Sequence, residues 1–557
     1  MTSTRRALVI GLDGATWDLM APWIEAGYLP NLATLRARGA RGKLASTIHP
    51  VTTPAWTSFL TGQQQGRHGI YDHVRRRPGT YEVQVTNASM IRVPTIFDHL
   101  RPAGLRAVSL NVPYTFPPRP IPGVMVSGLF APTVGPQITY PSELFAEIAR
   151  VAPDYTIHPD FVPQAPDPLQ RYVDDLIRST EGQFKVAEYL MAREPWSLFV
   201  VVFTATDQVQ HSFWHCLADE ASADSRTAPY RHAIRDVYQA IDRNLPRLLS
   251  RIDDETLVIV MSDHGAGELH RWVHLNRWLA DHGYLTFTSQ RRRASWRTAL
   301  LTRAAAAYKR HVPAGWRARV RQGLGRNFER AKSTFESQLF STAIAWERSR
   351  AYALGACGNL FINLRGREPR GIVAPGAEYE ALRDEIAAQL LELRDPETGD
   401  LLVARVFRRE EIYHGPYLDQ APDLVIQWRD YRYWGRGRYD QFGLPLFEPS
   451  STWDFSELPL TGTHRPDGVL IACGPGIGAD RAYEGARLID LAPTLLAYLG
   501  VPVPADMDGR VLADLFAPGI VQSERGAAAS APQAQEFAFT PDEEAAITQR
   551  LQDLGYL

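Results

Sequence analysis

Short apolar runs alternate along this chain with longer stretches of helical periodicity. Residues 7–12 are the first such run, aliphatic and β-branched, closed by Asp13 and Gly14. The run predicts a buried parallel strand with Asp13 at its carboxyl end, the edge where open α/β sheets collect ligands. Helical patterns follow over residues 17–26 and 31–38. Further strand-like runs are residues 107–110, 198–203, 257–261, 360–364, 424–427 and 469–472. Helical patterns separate many of them, as over residues 169–191 and 230–249. The alternation predicts an α/β fold, a three-layer αβα sandwich around a mostly parallel central sheet. No internal repeat is visible.

Two stretches break the alternation. Residues 291–332 hold thirteen Lys or Arg against one acid, Glu329, with Trp296, Tyr308, Trp316 and Phe328 interleaved. This helix-prone segment reads as a solvated basic hairpin, or as an anion-attracting cover, or as a surface for anionic lipid or nucleic acid. Residues 522–535 are small and polar and read as a flexible linker. After it, Thr540, Pro541 and Glu543 give a helix start of cap, first-turn proline and capping-box acid; that helix, ending in Leu554 and Leu557, is expected to dock on the body. The division is therefore a core in two parts, 1–288 and 347–517, a basic helical insertion or lid at 289–346, and a linker with a docking helix at 518–557.

Composition narrows the class. The 557 residues are enough for two to four domains or one large core with insertions. A net charge of −2 gives no global attraction to nucleic acid or membrane. Three scattered cysteines, Cys216, Cys357 and Cys473, form no metal-type pair and fit a reducing compartment. Asp13 interrupts the N-terminal apolar run before a signal-peptide core can form, and no apolar stretch approaches a membrane span. A soluble, cytoplasmic protein is expected.

Candidate chemistry gathers in four places. In HPVTTPAWTSFLTGQQQGRHGI, residues 49–70, Pro54 fits a first helical turn. Thr52 and Thr53 then lie at a helix N-terminus, whose N–H groups attract anions. A hydroxyl held there can attack a phosphate or bind one; the plainer reading is a Thr cap. In FTATDQVQHSFWH, just after the 198–203 run, Asp207 and His211 are four residues apart and share a helix face, so they can chelate one cation; otherwise they are a cap and a polar helix residue. His215 drifts around the axis and is not expected to ligate. In LVIVMSDHGAG, Asp263 and His264 follow an apolar strand beside glycines, half of a metal site or an Asp-Gly turn. In LTGTHRPDGVLIACGPGI, His464 occupies a loop before the 469–472 strand.

Taken in order, Asp13, Thr52 in T-x-P, Asp207-x-x-x-His211, Asp263-His264 and His464 resemble the alkaline phosphatase superfamily, and within it the type I phosphodiesterase/nucleotide pyrophosphatase branch. VIGLDGATWDL, INLRGREPRGIV and LIDLAPTLLAYLGVPVPADMDGR are similar to bacterial predicted phosphohydrolases and phosphomutases of that superfamily. The resemblance spans residues 6–515 apart from the basic insertion. It implies an alkaline phosphatase-like fold and two divalent ions, one on Asp207, His211 and His464, the other on Asp13, Asp263, His264 and the Thr52 oxygen. The N/O donor sets suit Zn²⁺, with Mn²⁺ as the alternative. The implied reaction is phosphodiester or pyrophosphate hydrolysis of a small phosphorylated substrate through a phospho-threonine at Thr52. A phosphomonoesterase, a phosphomutase and a non-catalytic phosphate-binding scaffold stand as alternatives. Substrate contacts fall on Thr53 and Asn111. The branch carries Asn three residues after the nucleophile, where this chain has Ala55; Asn111 either substitutes for it or serves as a turn residue. Thr52 in place of Cys or Ser, and Trp56 in place of Arg, argue against a formylglycine sulfatase.

Overall fold

The computed structural model describes residues 5–217, 226–288, 341–437, 445–450, 458–522, 524–527 and 536–555. The basic stretch 291–332 and most of the 522–535 linker lie outside them. Arg6–Leu12 sits in the middle of a ten-stranded sheet, flanked in parallel by Leu198–Phe203 and Thr256–Met261. Beyond Leu198–Phe203 run Ala107–Val112 and Gly123–Ser127, also parallel. Asp467–Cys473 lies on the other side of Thr256–Met261, antiparallel to it and to Ala40–Ala45. The three central strands are almost wholly buried along their length, which is why they read as unbroken apolar runs rather than alternating ones.

Both faces of the sheet are covered. Leu8, Ile10 and Leu12 point into a core shared with the helices Trp17–Glu25, Pro30–Arg38, Pro168–Arg193 and Ala233–Leu249. Ala7 and Val9, one residue out of phase, point into the opposite core under Thr52–Thr61, Ile96–Leu100 and Leu491–Tyr498. The period of two along a strand thus builds the three layers. Gly11 has to be glycine: a Cβ there would stand 2.6 Å from the Trp56 indole and 2.9 Å from Val202.

Two of the strand-like runs belong elsewhere. Asn359–Ile362 and Leu424–Trp428 pair in a separate four-stranded antiparallel sheet with Ala351–Ala353 and Val403–Arg408. This sheet and the helix Ala377–Leu391 pack in a second core, shared with Tyr81, Leu129, Trp272 and Trp278 from elsewhere in the chain. A short apolar run declares a buried strand but not its sheet. Trp346, placed at the end of the insertion by sequence, is fully buried in this second core and stacks on Tyr81 at 3.6 Å.

The helix Pro541–Asp553 packs against the second core. Thr540 caps it, and its hydroxyl oxygen accepts from the Glu543 amide. Ile547, Leu551 and Leu554 enter the second core beside Leu129, Phe130 and Trp272. Arg550 donates to the Ala131 carbonyl at 2.8 Å. No helix among the described residues is long and apolar enough to cross a membrane.

Candidate functional site

Three neighbouring strands carry the site at their carboxyl ends. Asp13 follows Arg6–Leu12, Asp263 and His264 follow Thr256–Met261, and Asp207 and His211 ride on Ala205–Phe213, the helix that follows Leu198–Phe203. A two-stranded ribbon completes it. Gly265–Glu268 pairs antiparallel with Gly462–Arg465, setting Ala266 opposite His464. The imidazoles of His264 and His464 stack at 3.6 Å. All seven expected ligands are buried.

The side chains converge in two overlapping sets. Asp207 Oδ1 lies 3.4 Å from His211 Nε2 and 3.6 Å from His464 Nε2, and the two nitrogens are 3.0 Å apart. His264 Nε2 lies 3.2 Å from Asp263 Oδ2, 3.7 Å from Asp13 Oδ1 and 3.3 Å from Thr52 Oγ1. His264 also groups with Asp207 and His464, so it stands at the junction of the two sets.

Hydrogen bonds fix which ring nitrogens face inward. His211 Nδ1 lies 3.0 Å from the Gly462 carbonyl, His264 Nδ1 3.0 Å from that of Gly265, and His464 Nδ1 2.6 Å from that of Pro50. A carbonyl only accepts, so Nδ1 carries the hydrogen in each and Nε2 presents a lone pair to the cluster. Carbonyl-anchored imidazoles of this kind are the usual outer support of metal-binding histidines. The carboxylates are similarly fixed. Trp56 Nε1 donates to Asp13 Oδ2 at 3.0 Å, and the Gly14 amide to Asp263 Oδ1 at 3.2 Å. Gly14 has φ +66°, and a Cβ there would press on Asp207 Oδ1 at 2.7 Å.

The electrostatics call for a cation. Asp13 Oδ1 and Asp263 Oδ2 are buried and accept no hydrogen bond among the described residues. Burial, reinforced by the charges of Asp263 and Asp207, raises the Asp13 carboxyl well above its ordinary range. Burial likewise raises Asp263 to about 6, against the opposing pull of His264. Asp207 is pushed up by burial, but His211, His464 and His264 outweigh that and hold it low. His464 is pushed far down by burial and by His264. Lone pairs set about 3.3 Å apart match the edges of a tetrahedron around an ion about 2.0 Å from each ligand. Oxygen and imidazole donors with unmet buried acceptors therefore fit divalent ions in both sets.

Thr52 is the first residue of its helix, and the capping position belongs to Val51. Its hydroxyl is turned to His264 rather than to the helix's own amides, which is not what a Thr cap does. Thr53, next along, is hydrogen-bonded to His73 Nδ1. The side-chain oxygen of Asn111 accepts from the Tyr155 hydroxyl, and its backbone is left-handed at φ 58°. Ala55 packs in the core under the Thr52 helix. His215, not expected to ligate, lies with Nδ1 2.8 Å from Thr461 Oγ1, and the Thr461 amide donates to the His211 carbonyl at 2.7 Å. Sequence reasoning missed Trp56 and His73. The indole's partner is 43 residues away, and nothing local signals it. The run H-G-I-Y-D-H offers His73 as a candidate but gives it no direction.

The type I phosphodiesterase / nucleotide pyrophosphatase family profile matches residues 7–441. The solved phosphonoacetate hydrolase from Sinorhizobium meliloti 1021, in complex with phosphonoformate, is similar with a TM-score of 0.52 and 16% identity, over 88% of this chain and 94% of that one. Human ectonucleotide pyrophosphatase / phosphodiesterase 5 gives a TM-score of 0.47 at 12% identity, over 92% of this chain and 100% of that one. No curated protein matches the chain in sequence.

Proposed function

From the premise that this chain belongs to the type I phosphodiesterase / nucleotide pyrophosphatase family, with an alkaline phosphatase-like fold, we propose that it is a two-metal phosphodiesterase or pyrophosphatase with Thr52 as nucleophile. The observation that carries this is the Thr52 hydroxyl, 3.3 Å from an imidazole nitrogen that also faces two buried carboxylates in want of a cation. Asp207, His211 and His464 would hold one ion; Asp13, Asp263, His264 and Thr52 would hold the other. Zn²⁺ suits these donors best, and Mn²⁺ next. Bound there, two divalent ions supply Lewis acidity, lowering the hydroxyl pKa of Thr52 and balancing the phosphoryl and leaving-group oxygens.

The chain's own part is positional. The strand ends hold the ligands, the Thr52–Thr61 helix aims its first-turn amides at the phosphoryl group, and Trp56 and Gly14 lock the carboxylates. The Thr52 hydroxyl gives its proton to solvent and its oxygen bonds to phosphorus, while the bond to the leaving oxygen breaks and that oxygen keeps the electron pair. Water then displaces Thr52 from phosphorus, and a proton returns to the threonine oxygen. Two in-line displacements retain configuration at phosphorus. The sequence favours a cytoplasmic setting and a small phosphorylated substrate, and the basic stretch 291–332 would draw anions toward the site.

A turnover screen of aryl phosphodiesters and monoesters with Zn²⁺, Mn²⁺ and Mg²⁺ tests the reading, with elemental analysis alongside. Two ions per chain and faster diester than monoester turnover are expected. At most one ion after reconstitution would end the bimetallic reading, and inversion of a chiral phosphorothioate diester would mean that water attacks directly.

A further inference from the structure

Three arginines line one cavity away from the site described above. The cavity, about 580 Å³, lies between the turn at residues 394–401, the turn at residues 429–432 and His270, which stands two residues beyond the ribbon strand Gly265–Glu268. Neither Thr52 nor any of the seven candidate ligands lines it. Arg394, Arg429 and Arg432 do, and all three are exposed to solvent. Exposed arginines elsewhere in this fold find a carboxylate, as Arg405 does in Glu411 at 3.0 Å and Arg277 in Asp281 at 2.8 Å. Arg394, Arg429 and Arg432 form no ion pair among the described residues, although Asp400 and Asp430 line the same cavity.

Two of the guanidiniums are held in place by backbone oxygens. Arg394 Nη1 donates to the Gly399 carbonyl and Arg429 Nε to the Leu401 carbonyl, at 2.9 Å each. Those carbonyls are fixed in turn, because Asp395 Oδ1 accepts from the amides of Glu397 and Thr398, and Arg271 Nε donates to Asp395 Oδ2 at 3.0 Å. Arg432 closes the other turn. Its amide donates to the Arg429 carbonyl at 3.3 Å and its carbonyl accepts from the His270 amide at 2.8 Å. Between the two arginines Asp430 and Tyr431 are both left-handed at φ 53°, a conformation unfavourable for side chains of their size. The Arg432 side chain itself makes no hydrogen bond among the described residues. Like charges on a free surface relieve their repulsion by turning apart. Here two are anchored and the third shares their cavity, so each keeps donors of its fork to offer.

We propose that this cavity is a second anion site, which takes the phosphate group of inorganic phosphate or of a small phosphate monoester on the forks of Arg394, Arg429 and Arg432. A carboxylate offers two oxygens and satisfies one fork. A tetrahedral phosphate dianion offers three or four, and guanidinium forks match its oxygens in pairs. The site is separate from the metal cluster, so the proposal goes beyond the phosphoesterase reading and does not depend on it.

The test is calorimetric binding of inorganic phosphate to the full chain at fixed ionic strength, both loaded with Zn²⁺ and after chelation, with melting temperatures alongside. The chelated chain should bind phosphate saturably, since no ion is needed at this cavity. In both forms Arg432→Gln and Arg429→Gln should weaken one site about tenfold or more, as for a lost charge-assisted hydrogen bond. Arg432→Lys keeps the charge and loses the fork, so it should fall between wild type and Arg432→Gln. Arg38→Gln removes one charge from the exposed end of the helix Pro30–Arg38 and should change nothing. Arg432 is exposed, so its variants should melt as the wild type does. Glycerol phosphate tells the two sources apart: tighter binding than inorganic phosphate assigns the site to monoesters, whose hydroxyls would face Asp400 and Asp430, and weaker binding assigns it to the free ion. No saturable phosphate binding by the chelated chain would overturn the proposal. Unchanged binding in both Gln variants would overturn it too, and so would an equal loss in Arg38→Gln, which would mark a general effect of charge. None of these measurements needs turnover, so the phosphoesterase reading can fail and leave this result standing, and the reverse.

Discussion

Asp423 and Asp13 are both completely buried carboxylates, one in the second core and one at the edge of the central sheet. Asp423 accepts from both Arg367 guanidinium nitrogens at 2.7 and 2.6 Å, from the Tyr379 hydroxyl at 2.5 Å and from the Ile362 amide at 2.6 Å. Burial presses its pKa upward, but the Arg367 bonds outweigh that and hold it below the ordinary value. Among the described residues, Asp13 accepts from the Trp56 indole and has two neighbouring carboxylates. The first site is neutralised by the chain that makes it. The second is surrounded, among the described residues, by carboxylates and imidazoles. A buried acid with its own arginine is architecture; a buried acid crowded by others, at the carboxyl edge of an α/β sheet, is a place for something else.

The sharpest way to press this contrast is Thr52→Ala, which removes the oxygen proposed as nucleophile and leaves the charges of the site intact. Turnover should fall by about a thousandfold or more, as for a lost covalent nucleophile, with both ions still bound by elemental analysis. Full activity in that variant would reduce Thr52 to a helix residue. Arg367→Met does the opposite, leaving buried Asp423 with only the more distant Arg409, at 3.6 Å, of its two arginines. Unfolding free energy should drop by about 3–5 kcal/mol, and urea melts should show the same loss with and without Zn²⁺. Recovery of that stability on adding zinc would erase the distinction between the two sites.

Acidity separates them further. Burial pushes Asp263 up to about 6 and Asp13 well above its ordinary range. A carboxyl whose folded pKa is raised favours the fold while protonated and loses that contribution as pH climbs from the unfolded value through the folded one. The contribution of Asp263 to the stability of metal-stripped protein should therefore fall between about pH 4 and 6, and that of Asp13 should fall further as it ionises above that, against the buried histidines, whose lowered pKa values act in the opposite direction. Asp423, with its depressed pKa, contributes above the unfolded value and loses it only in acid. Loading the ions should reverse the first trend, because their ligands must be deprotonated. Melting curves of chelated and loaded protein from pH 4 to 8 check this; parallel curves would count against a cation site. The smallest expected effect is that of Trp56→Phe. It removes Asp13's hydrogen bond and keeps the bulk over Gly11, so ion affinity should weaken by about tenfold by titration, with the fold unchanged.

Most of the candidate ligands are legible because they sit at a strand end or at the start of a helix, where a short motif reveals both the element and the residue; His464, read as a loop residue, lies instead in the ribbon strand Gly462–Arg465. The sets in which they act are less legible. His264 is adjacent to Asp263 in sequence and so falls naturally into one set, whereas the ribbon between Gly265–Glu268 and Gly462–Arg465 brings it against His464 as well. The runs at 360–364 and 424–427 were legible as strands and illegible as members of a second sheet, since sheet membership is decided by packing far along the chain. Trp56 and His73 are invisible for a related reason. Both act through partners that folding alone brings near, Asp13 for one and Thr53 for the other.

The ribbon has a mechanical side. The segment between its two strands contains the whole four-stranded antiparallel sheet and the helix Ala377–Leu391. Its four-residue strands are thus the knot of a loop of roughly two hundred residues, and closing so long a loop carries an entropic penalty that grows only slowly with its length. Ions shared by His264 at one end of the loop and His464 at the other would act as a removable cross-link at that knot. Metal release would then do more than stop a reaction: it would loosen the hinge of the second body, and hydrogen exchange at Gly265–Glu268 would register the departure of an ion before any global unfolding began.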